Sequence, residues 1–259
     1  MSQRIDEHQT TIVEQFSQQA IPFAQIPGHQ DSIQLLVELA EARQSDTVLD
    51  VACGPGLVTC EFAVHCGHVT GIDITPAMID QAKKRQQEKG LANLTWVIGE
   101  ALPLLYSDNS FSMVITRYSY HHFLEPRAAL SEMIRVCVPG GRVLVADVAI
   151  ETAKSAAYDR LERMRDPSHT HALTAEEFNQ LFQQSGMENC RKSSYDVEIE
   201  LEAQLKASFP KPGDTELLRE MITGDIGINT LGINARRVNN TVVYTVPVGV
   251  FVGKKRQGK

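Results

Sequence analysis

From residue 46 onward, short apolar runs alternate with longer segments whose apolar residues recur every three or four positions. "DTVLDVA" reads as a buried strand and "GLVTCEFAVHC" as a helix. "HVTGIDI" predicts a second strand. "PAMIDQAKKRQQEKG" predicts a second helix, with Thr75 as N-cap, Pro76 at its first position and Gly90 past its end. "LTWVIG" and "FSMVITRYS" follow as strands three and four, "PRAALSEMIRVC" as a further helix and "GRVLVADVAI" as strand five. Strands alternating with helices through short connections imply a parallel sheet covered on both faces.

The flanks are less regular. Residues 1–30 are polar and glutamine-rich, and the two prolines of "AIPFAQIPG" predict a helix followed by an irregular connector. "DSIQLLVELAEA" has helical spacing, with Asp31 or Ser32 as N-cap. Beyond residue 150, "SAAYDRLERM" and "TAEEFNQLFQQSG" read as helices, the second capped by Thr174 and ended by Gly186. "SSYDVEIELEAQ" and "TVVYTVPVGVFVG" read as strands, and Pro247 places the latter at a sheet edge or a bulge. Between them, residues 207–240 form an insertion with one helix and a loop rich in glycine and asparagine.

Composition narrows the class. The 259 residues are 42% hydrophobic and 22% charged, enough for one substantial globular domain spanning 1–259. A net charge of −7 argues against a nucleic-acid surface, and the basic end (Lys254, Lys255, Arg256, Lys259) reads as a solvated terminus. The five cysteines have no C-x-x-C pair and no zinc-ligand spacing, which fits a reducing, cytoplasmic setting. The opening residues lack the pattern of a signal peptide, and no apolar run approaches the roughly 18 residues of a membrane span.

The chemistry gathers at consecutive strand ends. In an open parallel sheet, ligands sit beyond the carboxyl ends of the strands, where strand order reverses. "ACGPG" ends strand one, and Gly54 and Gly56 let the backbone approach a ligand, although a plain strand-to-helix turn has the same pattern. Asp73 closes strand two, about twenty residues on, where a carboxylate can accept both ribose hydroxyls of a nucleoside. Glu100, with Ala101 and Leu102, follows strand three and can hold an adenine's amino edge with a carboxylate and a backbone N–H. Thr59 stands where a dinucleotide fingerprint wants a third small residue, and Asp50 is ill placed beside a pyrophosphate. Asp50 suits a ligand with a positive charge, an ammonium or a sulfonium.

"VLDVACGPG", "VTGIDITPAMIDQA", "GEALPLLYSDNSFSMVITRYSYHHF" and "RVCVPGGRVLVAD" together resemble the ordered motifs of class I S-adenosylmethionine-dependent methyltransferases, most of all the branch related to ubiquinone/menaquinone biosynthesis. The likeness runs over about residues 45–150 and weakens toward 185. It implies a Rossmann-like, doubly wound α/β fold with a seven-stranded sheet, mostly parallel, the last strand antiparallel. It implies S-adenosylmethionine as cofactor and S-adenosylhomocysteine as product. Asp50, Ala52, Gly54 and Gly56 match the loop around the methionine part, Asp73 the ribose acid, and Ile74 and Met78 the apolar pair against adenine. Glu100 stands where the family usually has Asp, and Arg117 and Tyr118 match the floor under the methionine part.

The acceptor side rests on the loop after strand four. In "TRYSYHHF", His121 or His122 is the candidate base or substrate anchor, unless one caps the helix near Pro126 and the other only packs. Tyr118, Tyr120 and Phe123 suggest an aromatic wall, and His169 and His171 a loop lining the substrate pocket rather than a metal site. The N-terminal 30 residues and the 207–240 insertion, which flank the 45–150 core and lie partly in the 151–259 half, are candidate lids or dimer contacts. The expectation is a cytoplasmic methyltransferase acting on a small molecule, with no nucleic-acid partner. The alternatives are a cofactor-binding sensor or partner protein and a nicotinamide-dependent oxidoreductase, which would need a hydride-transfer catalytic set not recognisable here.

Overall fold

A computed structural model describes residues 2–25 and 32–257. Strands β1 (Thr47–Val51), β2 (His68–Asp73), β3 (Leu94–Ile98), β4 (Phe111–Arg117) and β5 (Cys137–Val148) run parallel. Strand β8 (Thr241–Lys254) pairs antiparallel with both β5 and β6 (Glu188–Glu200). The continuous path is β3-β2-β1-β4-β5-β8-β6, seven strands, and the short β7 (Arg236–Val238) adds an eighth by a hairpin to β8. Strand order reverses between β1 and β4, so the carboxyl ends of those two strands flank the natural ligand crevice.

Neighbouring residues in the parallel strands pack into different cores. Val48, Met113, Ile115, Leu144 and Ala146 join the cluster formed with helices α2 (Ile33–Leu39) and α3 (Leu57–His65). Leu49, Val114, Val143 and Val145 join the cluster formed with α5 (Pro126–Val136) and α7 (Ala175–Gln184). Side chains alternate across a strand, so a strand apolar at every position must be covered on both faces. The remaining helices are α1 (Ser2–Gln25), α4 (Pro76–Lys89), α6 (Ser155–Arg165), α8 (Leu201–Ala207) and α9 (Asp214–Gly224).

Helix punctuation follows the sequence in the core. Thr75 and Pro76 open α4 and Gly90 closes it in the left-handed region, and Thr174 forms a capping box with Glu177. Four details differ from the expectation. α1 continues through Pro22, whose ring removes one i→i−4 bond, and ends three residues later at Gln25. Residues 201–204, expected to extend a strand, open α8, because the Glu200 carboxylate accepts the N–H groups of Glu202 and Ala203 and caps a helix there. Pro247 lies one strand in from the edge, opposite Asp196. Its carbonyl faces Ala149, just past the end of β5, so the absent N–H falls where that ladder stops. The basic end is partly ordered: Lys254 belongs to β8, and the Lys255 ammonium donates to the carbonyls of Arg135 and Cys137 at the end of α5. Ser32 occupies the N-cap of α2 without a side-chain bond, while Pro27, Asp31 and Lys259 lie outside the described residues.

Candidate active site

At the β1/β4 crevice lies a cavity of about 230 Å³. The loop after β1 forms one wall, with positive φ at Ala52 (55°), Gly54 (53°) and Gly56 (75°). At Gly54 a Cβ would meet no atom within 4 Å, so the bare main chain there faces open space. Gly56 has a different task. A Cβ there would lie 2.8 Å from the Trp96 ring and 3.0 Å from the Ala82 Cβ, so its missing side chain lets α4 and β3 close under the loop. Trp96, the single tryptophan, also blocks any side chain at Gly71 and donates its indole N–H to Gln86. The sequence reading had not singled it out.

Asp73 closes β2 with both oxygens turned to main chain: it accepts from the Gly54 N–H at 2.9 Å and the Thr75 N–H at 2.8 Å. Burial raises its pKa, against the pull of those two bonds. The carboxylate thus ties the glycine loop to the start of α4 while it lines the cavity. Ile74, Met78, Glu100, Ala101 and Leu102 line the same cavity, and Glu100 accepts from the Gln9 amide at 2.9 Å. Arg117 and Tyr118 form its floor at the end of β4. The guanidinium donates to the hydroxyls of Tyr118 and Tyr195 and lies 4.1 Å from the Tyr118 ring centre.

Of the residues matched to the cofactor loop and the candidate bases, Asp50, Gly56 and His121 do not line this cavity. Asp50 is 1% exposed and lies beneath the loop, where it accepts the Thr59 hydroxyl proton at 2.6 Å. Burial, opposed by that bond and aided by the nearby Asp73 charge, lifts its pKa to about 7. Thr59, the residue that departs from a dinucleotide fingerprint, is therefore the partner of this buried acid. Thr59→Val, which keeps the shape and removes the donor, should cost about 1–3 kcal/mol of stability, read as a lower Tm or denaturation midpoint at neutral pH.

The two histidines occupy a 3-10 turn, Tyr120–His122, and differ in chemistry. His121 Nδ1 lies 2.6 Å from Asp147, whose carboxylate also accepts the N–H groups of Tyr120 and Val148. Burial lowers the imidazole pKa, but the Asp147 charge and hydrogen bond outweigh it, so the net shift is upward. His122 Nδ1 faces the Ser168 carbonyl at 3.1 Å, and burial together with the neighbouring His121 pushes its pKa down to about 3. Neither histidine caps α5, whose N-cap is Glu125. Of the aromatic residues, Tyr118 and Phe123 line the cavity, whereas Tyr120 is fully buried against Phe178.

His169 and His171 both bind Asp159 of α6, at 2.8 and 2.7 Å, and Thr170 donates to the His121 carbonyl, so this loop braces the histidine turn. Among the described residues no cluster of three or more histidine, cysteine, aspartate or glutamate side chains is placed to hold a metal ion, and no helix is long and apolar enough to cross a membrane.

The N-terminal helix, which the sequence marks as a candidate lid or dimer contact without naming residues in it, supplies part of the wall. Ile5, His8, Gln9, Ile12 and Phe16 lie along one face of α1 and line the cavity, and His8 Nε2 donates to the His122 carbonyl at 2.7 Å. The 207–240 insertion contributes to neither this cavity nor the smaller one behind it. That second cavity, of about 80 Å³, is lined by His121, and Tyr118 and His122 line both spaces.

Comparison with known proteins agrees with this geometry. Residues 42–197, more than half of the chain, match the family described as "Methyltransferase domain". A Bacillus subtilis protein described as uncharacterized methyltransferase YcgJ is 29% identical over 195 residues, 74% of this chain and 76% of that protein. The ubiquinone/menaquinone biosynthesis C-methyltransferase UbiE of Roseobacter denitrificans is 34% identical over 122 residues, 45% of this chain and 49% of that relative, so the match spans about half of its length. The crystal structure of Bacillus subtilis YcgJ superposes with a TM-score of 0.79 at 24% identity, covering 88% of this chain and 99% of that one. Haemonchus contortus phosphoethanolamine N-methyltransferase 2, solved with S-adenosyl-L-methionine, shares the fold at a TM-score of 0.63 and 16% identity, covering 87% of this chain and 52% of that one. The chain belongs to the methyltransferase-domain family, as a class I methyltransferase that depends on S-adenosylmethionine.

Proposed function

We propose that this protein transfers the methyl group of S-adenosylmethionine to a small-molecule acceptor, with His121 as the base. The observation that carries this reading is the adjacency of two spaces. An open cradle over Gly54 beside Asp73 and Glu100 shares the wall residues Tyr118 and His122 with a second cavity that is lined by His121, whose Nδ1 lies 2.6 Å from Asp147. The donor set fits an adenosyl sulfonium. Asp73 would take the ribose hydroxyls, Ile74 and Met78 the faces of the base, and Glu100 with the main chain of Ala101 and Leu102 its polar edge. Main chain at Ala52 and Gly54, with Arg117 and Tyr118 beneath, would hold the amino-acid part. Asp50 and Gly56 act from below, by supporting the loop.

When bound, the cofactor supplies an electrophilic methyl carbon and a neutral leaving group. The protein contributes alignment, exclusion of water and proton removal. Asp147 holds the Nδ1–H of His121, which leaves the Nε2 lone pair for the acceptor's proton. His122, kept neutral by burial, shapes the shared wall. α1 covers the cavity as a cap, and the free cysteines support a reducing, cytoplasmic setting. Titration calorimetry tests the reading: S-adenosylhomocysteine should bind and NAD should not. Binding of the dinucleotide alone would overturn it.

A further inference from the structure

The smaller cavity is amphipathic and charge-balanced. One side is aliphatic, with Val148, Val197, Ile199, Val246 and Val248. On the other, the guanidinium of Arg165 is held by Glu162 through Nε (3.0 Å to either oxygen) and Nη2 (2.6 Å). His121, which also lines the space, has its Nδ1 engaged by Asp147. Burial pushes the phenols of Tyr158 and Tyr244 upward, so both remain uncharged. Arg165 Nη1 reaches the Ser208 hydroxyl at 3.4 Å, so an anion entering this space would meet Glu162 and a guanidinium whose charge Glu162 already balances, and a cation would find no uncommitted carboxylate among the lining residues.

Two of the lining groups offer a hydrogen-bond acceptor to a ligand. Gln204 lines the cavity at 7% exposure; its amide nitrogen reaches Ser208 at 3.4 Å, and its Oε1 is buried with no partner. A buried acceptor without a donor costs about 1–3 kcal/mol, which a ligand hydroxyl in that place would recover. The second is His121 Nε2, since Asp147 occupies Nδ1.

We propose that the smaller cavity seats the methyl acceptor and selects a compact, uncharged molecule with two hydrogen-bond donors: an acidic hydroxyl that is methylated and a second donor held by Gln204. This rests on the methyltransferase reading above. The reacting hydroxyl is phenolic or enolic, because an imidazole takes a proton from such a group far more readily than from an alkanol. Its proton passes to His121 Nε2, its oxygen bonds to the methyl carbon, and the electron pair of the broken carbon–sulfur bond stays on sulfur.

The test is titration calorimetry on the full chain saturated with S-adenosylhomocysteine, with catechol, phenol and benzoate as probes. Catechol should bind about 10-fold more tightly than phenol through its second donor, and benzoate should give no heat. Gln204→Leu should abolish the catechol advantage, and Val246→Phe, which fills the aliphatic side, should abolish both. S-adenosylhomocysteine affinity, measured on each variant, should be unchanged and reports that the fold is intact. Benzoate binding as tightly as catechol, no catechol binding, or an advantage that survives Gln204→Leu would each overturn the proposal. Failure of S-adenosylhomocysteine itself to bind would instead overturn the methyltransferase reading and this proposal with it.

Discussion

Replacing His121 with asparagine is expected to lower the turnover number by about 10²- to 10⁴-fold, the usual worth of a positioned base, while S-adenosylhomocysteine affinity changes by less than about twofold. Asparagine is the informative substitution. Its amide can still donate to Asp147, whereas alanine would leave that buried carboxylate with only the N–H groups of Tyr120 and Val148 and confuse lost catalysis with lost stability. The pH profile adds a second reading. His121 is faced by Asp147 from β5, by Glu162 and Arg165 from α6, by His122 beside it and by His169 from the bracing loop. The net effect raises its pKa above the ordinary 6.5, so the imidazole carries a proton, and cannot accept one, at every pH below that raised value. The wild-type rate should therefore fall on acidification with a midpoint above 6.5, and H121N should lose that limb. Asp147→Asn should shift the limb to lower pH, since it removes the charge that holds the proton on the ring. Turnover of H121N within threefold of wild type would remove His121 from the reaction.

Most residues that line the larger cavity from the sheet side were readable from the sequence because they lie at consecutive strand ends. Once the alternation of strands and helices is recognised, chain connectivity alone carries Gly54, Asp73, Glu100 and Tyr118 to one rim of the sheet. The supporting groups were less legible because they act across the chain. Asp147 appears in "VLVADVAI" as one acid in an apolar strand, and nothing local says that its partner lies 26 residues earlier. Such an acid still carries a signal, since a carboxylate inside a buried strand must be paired or pushed neutral. Trp96 looked like an ordinary strand residue, yet its ring occupies the space that a side chain at Gly56 or Gly71 would need.

The individual wall residues of α1 were hidden for a different reason. α1 reads as polar, but a helix face that lines a cavity need not be apolar, so Ile5, His8, Gln9, Ile12 and Phe16 at the larger cavity and Gln19 at the smaller mix both kinds at helical spacing. The insertion at 207–240, more conspicuous in the sequence, packs α9 against α6 and lines neither cavity. Conspicuous loops and ligand-covering loops are thus separate matters in this chain.

Asp73→Asn should weaken S-adenosylhomocysteine binding by about 10²-fold and leave the rate at saturating cofactor close to wild type. In the proposed binding mode the carboxylate accepts two ribose hydroxyls, and each such bond to a charged acceptor contributes about 1.5–3 kcal/mol against about 1 kcal/mol for a neutral one. An asparagine also has one accepting oxygen where two backbone donors converge, so the bond from Gly54 or from Thr75 must break and the loop loosens over the ligand. Together these amount to about 3 kcal/mol, or roughly 10²-fold in Kd. Glu100→Gln, on an exposed side chain whose bond from the Gln9 amide can be kept, should cost less than tenfold. The contrast separates binding from chemistry: Asp73 moves KM for the cofactor, His121 moves kcat, and a double variant should show the two losses adding, because the two groups share no partner. An Asp73→Asn protein that binds S-adenosylhomocysteine within threefold of wild type would mean that the ribose is held elsewhere, and the adenosyl site would have to be moved from the end of β2.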